Sequence, residues 1–225
     1  IFENMGFTYL GPVDGHDVES LMSLLQYAKE LRSPVLVHVL TQKGRGYKYA
    51  ESSPSQFHGI GSFDPESGML PEKGSHSFSD TFGEKMIQLA EDDDRICAIT
   101  AAMPAGTGLL KFKEAFPKRL FDVGIAEEHA MSMAGGLAKQ GMTPVIALYS
   151  TFLQRSYDMM IVDGALMNLH TVFAVDRAGL VGKDGVTHHG NFDAAYLDSV
   201  PGMTVYAPSS FAELEAMLKQ AVLVD

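Results

Sequence analysis

Tryptophan is absent from the 225 residues and cysteine occurs once, at Cys97. A single thiol excludes an internal disulfide framework and suits a reducing cytoplasm, the compartment expected here. It stands in the apolar run Ile96-Cys97-Ala98-Ile99, the setting of a buried structural thiol rather than a nucleophile. No apolar stretch approaches the roughly 20 residues that a membrane-spanning helix needs, so no membrane association is expected. The chain opens Ile1-Phe2-Glu3-Asn4, without an initiator Met or the basic-then-apolar pattern of a signal peptide, and reads as a start within a longer chain. Basic residues are scarce: 17 Lys and Arg against 28 Asp and Glu leave a net charge of −11. That background field argues against a nucleic-acid binder, and any anionic ligand must be met by local cationic groups.

Hydrophobic residues make up 46% and charged residues 20%, an ordinary balance for a soluble α/β protein. Asp17 is placed to cap a helix over 18–32, where Val18, Leu21, Leu25 and Ala28 recur at helical period. Ser33-Pro34 stops that helix, and Val35 to Leu40 reads as a strand. From 50 to about 77 the composition shifts to Ser, Gly, Pro and Glu, as in an interdomain linker. Beyond it helices and strands alternate. Ser79 or Asp80 opens a helix to about 91, with strands at 96–100 and 120–125 on either side of a short helix near 107–115. A helix at 127–139 and a strand at 144–150 follow, then a helix at 151–168. Strands at 170–176 and 203–207 and a helix at 212–222 complete the pattern. Strands such as Val145-Ile146-Ala147-Leu148 are apolar throughout, as expected where helices cover both faces of a parallel sheet. The fold class predicted is three-layer α/β, with a mostly parallel sheet flanked by helices.

Ligands of such sheets gather beyond the carboxyl ends of the strands. Three polar clusters directly follow predicted strands: Asp122 to Ala130, Tyr149 to Arg155, and Asp176-Arg177-Ala178-Gly179 with the loop through Gly190. Taken singly, each has a plainer reading. Glu127 and Glu128 suit the positive end of a helix dipole, Phe152 and Tyr149 suit a core, and Arg155 suits a solvated helix face. The loop 177–190 is harder to dismiss, because it sets Arg, Lys, Asp and two His among glycines in a connection long enough to be functional. Its histidines lack a second ligand set at metal spacing, so no metal is expected there.

Gly11-Pro12-Val13-Asp14-Gly15-His16-Asp17, Thr41-Gln42-Lys43-Gly44-Arg45-Gly46-Tyr47, Glu127-Glu128-His129-Ala130, Tyr149 to Arg155, and Asp176-Arg177-Ala178-Gly179 with Asp184-Gly185 and Thr187-His188 stand in one order. In that order they resemble the 1-deoxy-D-xylulose-5-phosphate synthase family of transketolase-like thiamine-diphosphate enzymes, over essentially the whole chain. The resemblance implies a thiamine-diphosphate-binding fold and three domains. Residues 1–49 would end the first, diphosphate-binding domain, 50–77 would link, and 78–225 would bind the aminopyrimidine. It also implies decarboxylative joining of pyruvate to D-glyceraldehyde 3-phosphate, feeding isoprenoid, thiamine and pyridoxal synthesis, by a homodimer.

By the same resemblance Glu127 faces the pyrimidine N1′, where a carboxylic acid favours the imino form of the ring and starts proton transfer. Phe152 stacks on the ring beside Tyr149. Tyr149, Arg155 and Arg177 place the anionic substrate, Asp184 and His188 are polar substrate-side residues, and His16 is a candidate for proton transfer at the reacting centre. The family's Mg2+ motif, a Gly-Asp-Gly with a later Asn, is not found. Asp163-Gly164 and Asn168 imitate it inside a predicted helix at the wrong spacing. The resemblance therefore implies half of an active site, inactive alone. Transketolases and 2-oxo-acid dehydrogenase β-subunits share the pyrimidine domain, and a non-catalytic dimerisation module is a third reading.

Overall fold

In a computed structural model, residues 1–70, 74–182 and 184–224 are described, and they divide into two compact units, residues 1–74 and 75–225. The first unit holds strand β1 (Thr8–Asp14), helix α1 (Val18–Glu30), strand β2 (Val35–Leu40) and the short helix α2 (Lys48–Ser52). Strands β1 and β2 pair in parallel, with a register shift between Leu10 and Val13. Asp17 caps α1 through the Ser20 amide, as its sequence position predicts. None of α1's residues is buried, and Val18, Met22, Leu25 and Tyr27 are all about half exposed or more. The stretch 50–77, expected as a linker, includes a local aromatic cluster: Tyr47 packs edge-on to Tyr49 and Phe57, and Phe57 to Phe63.

The second unit is built from α3 (Phe78–Asp92), β3 (Ile96–Thr100), α4 (Leu110–Ala115), β4 (Leu120–Asp122), α5 (Glu127–Lys139) and β5 (Thr143–Tyr149). Short α6 (Ser150–Leu153) and α7 (Tyr157–Met159), strand β6 (Val172–Asp176), α8 (Asp193–Leu197) and α9 (Phe211–Leu223) follow. Helix α3 begins one or two residues earlier than expected, because Ser77 and Asp80 form a reciprocal capping box. The four strands are all parallel in the order β4-β3-β5-β6.

Alternate residues of the same strand serve opposite layers. Ile96, Ala98, Val145 and Ala147 pack with Phe82, Met86, Leu89, Leu218 and Val222 from α3 and α9. Ile99, Ile146 and Leu148 pack with Ala130, Met131 and Ala134 of α5 and with Leu153 and Met160. Burial on both faces explains why the central runs of these strands, such as Val145 to Leu148, are apolar without alternation. Cys97 is fully buried in β3, and burial pushes its thiol up to about 11.

Two expectations are corrected. Residues 203–207 form no strand: among the described residues the sheet ends at β6, and this segment leads to α9 without regular secondary structure. The segment 151–168 is not one helix either. It breaks into α6, a 3-10 turn at Gln154–Ser156, α7 and a π-helical turn at Met160–Ala165. The cause of the π turn is tertiary. Asp163 accepts the Ser132 hydroxyl of α5, and its carbonyl crowds Gly135, where a Cβ would lie 2.6 Å away.

Candidate active site

The carboxyl ends of β4, β5 and β6 carry the three polar clusters, and the parallel sheet brings them to one edge. After β4 the chain is turned by Asp122, whose Oδ1 accepts the amides of Ala102 and Gly124. Gly124 takes a left-handed conformation at φ 72°, which glycine reaches without strain. This turn sets Glu127 as the first residue of α5, with only 3% of its surface exposed. A buried carboxylate requires a partner. Arg155 provides it, with Nη1 2.9 Å from both Oε1 and Oε2.

From Arg155 the contacts run on without a gap. Its guanidinium lies 5.1 Å from the centre of the Phe152 ring. Phe152 stacks nearly parallel to Tyr149, at 6.0 Å and 14°, and meets the His188 imidazole edge-on at 5.5 Å. Arg177 covers the Tyr149 ring at 4.8 Å and bridges to Asp176 at 3.0 Å and Asp184 at 3.2 Å. Burial works against the Arg177 charge but is outweighed by Asp176, Tyr149 and Asp184, so its pKa is raised. Burial also raises Tyr149, with Arg177 acting in the opposite sense. Arg177 holds a left-handed backbone (φ 59°), uncommon for a side chain of this size and a form of strain that gathers at functional sites. Gly179 and Gly190 exchange two 2.8 Å backbone hydrogen bonds, closing the loop that carries Asp184 and His188.

Seven of the eight residues singled out from the sequence thus form one contact chain: Glu127, Arg155, Phe152, Tyr149, His188, Arg177 and Asp184. The eighth, His16, is carried by the first unit, where its Nε2 accepts the Gln42 amide at 2.7 Å. Arg155, expected to place an anion, also pairs with Glu127 through Nη1, and its side chain keeps 44% exposure. Lys183 lies outside the described residues. Asp163, the metal-motif look-alike, is bonded to Ser132 in the π turn. Among the described residues no group of three or more His, Cys, Asp or Glu side chains gathers as a metal site.

Other participants were not singled out from the sequence. Ser79 donates to Asp176 at 2.6 Å and so fixes the carboxylate that holds Arg177. Gly106, in the loop after β3, approaches the Tyr149 hydroxyl so closely that any Cβ would collide with it. The Gly-rich run Ala105-Gly106-Thr107-Gly108 was the available signal, since close backbone approach is a standard reason for glycine. What the cluster offers is a flat aromatic platform beside a buried carboxylate, with cations and an imidazole around it. That is a fit for a polar heteroaromatic ring such as an aminopyrimidine.

The family model described as the transketolase pyrimidine-binding domain matches residues 75–225, and the model for 1-deoxy-D-xylulose-5-phosphate synthase matches residues 1–41. The chain is 53% identical over 222 residues to the 1-deoxy-D-xylulose-5-phosphate synthase of Desulforudis audaxviator, covering 99% of this chain and 35% of that protein. To the synthase of Symbiobacterium thermophilum it is 55% identical over 224 residues, 100% of this chain and 34% of the relative. The chain thus spans about a third of the length of these curated relatives. Among solved structures, a split-gene transketolase described as an inactive β4 tetramer superposes with a TM-score of 0.59 at 26% identity, over 67% of this chain and 49% of that one. Leishmania mexicana transketolase gives 0.58 at 16% identity over 99% of this chain and 45% of its own, a likeness of fold. The chain belongs to the transketolase pyrimidine-binding domain family, and over nearly its whole length its likeness is to the 1-deoxy-D-xylulose-5-phosphate synthases.

Proposed function

We propose that this chain is part of a synthase that joins pyruvate to D-glyceraldehyde 3-phosphate with loss of carbon dioxide, and that residues 78–225 bind the pyrimidine half of thiamine diphosphate. When bound, thiamine diphosphate supplies a thiazolium carbon able to add to a carbonyl. The rest is done by side chains. Glu127 offers its carboxyl to the pyrimidine N1′ and manages the proton there, Phe152 carries the ring, and Tyr149 stands beside it. Arg177, oriented by Asp176 and Asp184, and His188 face the substrate's carboxylate or phosphate. His16, from the first unit, serves proton transfer at the reacting centre. Residues 1–49 are read as the end of the diphosphate-binding domain and 50–77 as its link to the next. The ligands of the Mg2+ that binds the diphosphate are assigned to a segment outside this chain. The working protein is taken to be a cytoplasmic homodimer, and this chain alone to be inactive.

The observation supporting this reading most strongly is the unbroken contact path from buried Glu127 through Arg155 and Phe152 to His188. In the complete synthase, Glu127→Gln should lower turnover of pyruvate and D-glyceraldehyde 3-phosphate by about 10²–10⁴-fold, the usual worth of a general acid–base group. Unchanged turnover would remove the mechanism. Exclusive ketol transfer from a sugar phosphate would assign the protein to the transketolases instead.

A further inference from the structure

Arg155 has spent one nitrogen on both oxygens of a carboxylate that solvent barely reaches, while its own side chain keeps 44% exposure. Glu127 therefore sits as a matched buried charge. This constrains any ring set against Phe152. The free ring nitrogen of an aminopyrimidine accepts hydrogen bonds, and an ionised carboxylate can only accept. Two acceptors brought face to face without a proton repel. A proton must arrive with the ring.

We propose that Arg155 is a positioning residue, the counter-ion of Glu127, and that the pair makes this site take up a proton from solvent as it binds an aminopyrimidine ring. The proposal rests on the reading of Glu127 as the pyrimidine contact. One proton leaves the buffer and comes to lie between the Glu127 carboxylate and the ring nitrogen; Arg155 keeps its charge and no covalent bond changes. The other charged and titratable groups nearby are Glu128 and His129, next on α5, and Tyr149 and His188, which meet Phe152, with Arg177 over Tyr149. Among the described residues, Arg155 is the partner at hydrogen-bond distance from the Glu127 carboxylate. Without Arg155, a carboxyl this buried escapes its desolvation cost by taking a proton before any ligand arrives. The site would then need no proton from solvent.

Two measurements test this. The first uses the chain itself, by infrared spectroscopy near neutral pH. Arg155→Met should show the carbonyl stretch of a protonated carboxyl, absent from the unsubstituted chain, from Arg155→Lys, and from Arg155→Met combined with Glu127→Gln. The second is calorimetric titration of the complete synthase with thiamine diphosphate and Mg2+ in buffers of different ionisation heat. The unsubstituted enzyme should take up about one proton per site more than Arg155→Met, and Arg155→Lys should retain that uptake. Should Arg155→Met fail to fold, Arg155→Gln, uncharged but still a donor, carries the same comparison. Equal proton uptake with and without the arginine charge, or a protonated-carboxyl band already present in the unsubstituted chain, overturns the proposal. Unchanged cofactor affinity and turnover in Glu127→Gln would instead sink the underlying reading of Glu127, and the proposal with it.

Discussion

The Ser79 hydroxyl donates to Asp176 at 2.6 Å, tying the first turn of α3 to the end of β6, 97 positions later in the chain. Asp176 in turn receives the Arg177 amide at 2.7 Å and its Nη1 at 3.0 Å. One carboxylate thus holds the residue at which the 177–190 loop leaves the sheet. Ser79→Ala removes a hydrogen bond to a charged acceptor in a half-buried place. It should cost about 1–2 kcal/mol, between the values for neutral and charged bonds. Urea unfolding of the two chains measures it, and an unaltered midpoint would mean that water replaces the hydroxyl at no cost.

Gly83 sets helix propensity against packing. In an open helix, glycine to alanine gains about 1 kcal/mol. Here a Cβ at position 83 would collide with the Gly108 carbonyl, a backbone atom that cannot swing aside, while Gly108 itself presses on the Ser79 carbonyl. Packing should win, and Gly83→Ala should be net destabilising by about 1–3 kcal/mol, as overpacked sites are. Any stabilisation in a thermal melt would show that the loop after β3 yields freely.

Tyr196 has a buried hydroxyl with no hydrogen-bond partner among the described residues. Burial, with Asp193 adding to it, raises its ionisation to about 12. Tyr196→Phe should be neutral or stabilising by up to about 1 kcal/mol, because it deletes an unsatisfied polar group and keeps the ring. In an ultraviolet titration the substitution should remove a tyrosine that ionises late. A clear loss of stability would reveal a partner for that hydroxyl.

Cys97 should resist alkylation in the folded chain. It is fully buried, and at pH 8 a thiol titrating near 11 is a thiolate in about one molecule per thousand. Modification by iodoacetamide should follow unfolding by urea, and rapid labelling of the native chain would contradict the β3 assignment.

Much of this molecule was legible locally. Asp17 caps its helix through the amide three residues on, a relation contained within one turn. The β5 run from Val145 to Leu148 announced a strand buried on both faces, and parallel pairing made convergence of the three polar clusters at one sheet edge a consequence of topology. The break of 151–168 into α6, a 3-10 turn, α7 and a π turn was not legible, because its cause is the approach of Gly135 and Ser132 from another helix.

The sequence by itself determined the alternation of strands and helices, the buried thiol, and which side chains would meet at the sheet edge, since each depends on periodicity, on capping within a turn, or on the order of motifs. Only the tertiary structure decided how those side chains pair. Arg155 pairs with Glu127, 28 residues away, because a carboxylate buried at the start of α5 must find a countercharge and Arg155 is within reach. A buried polar group bonds to whatever the folded chain brings beside it, and linear sequence does not carry that proximity.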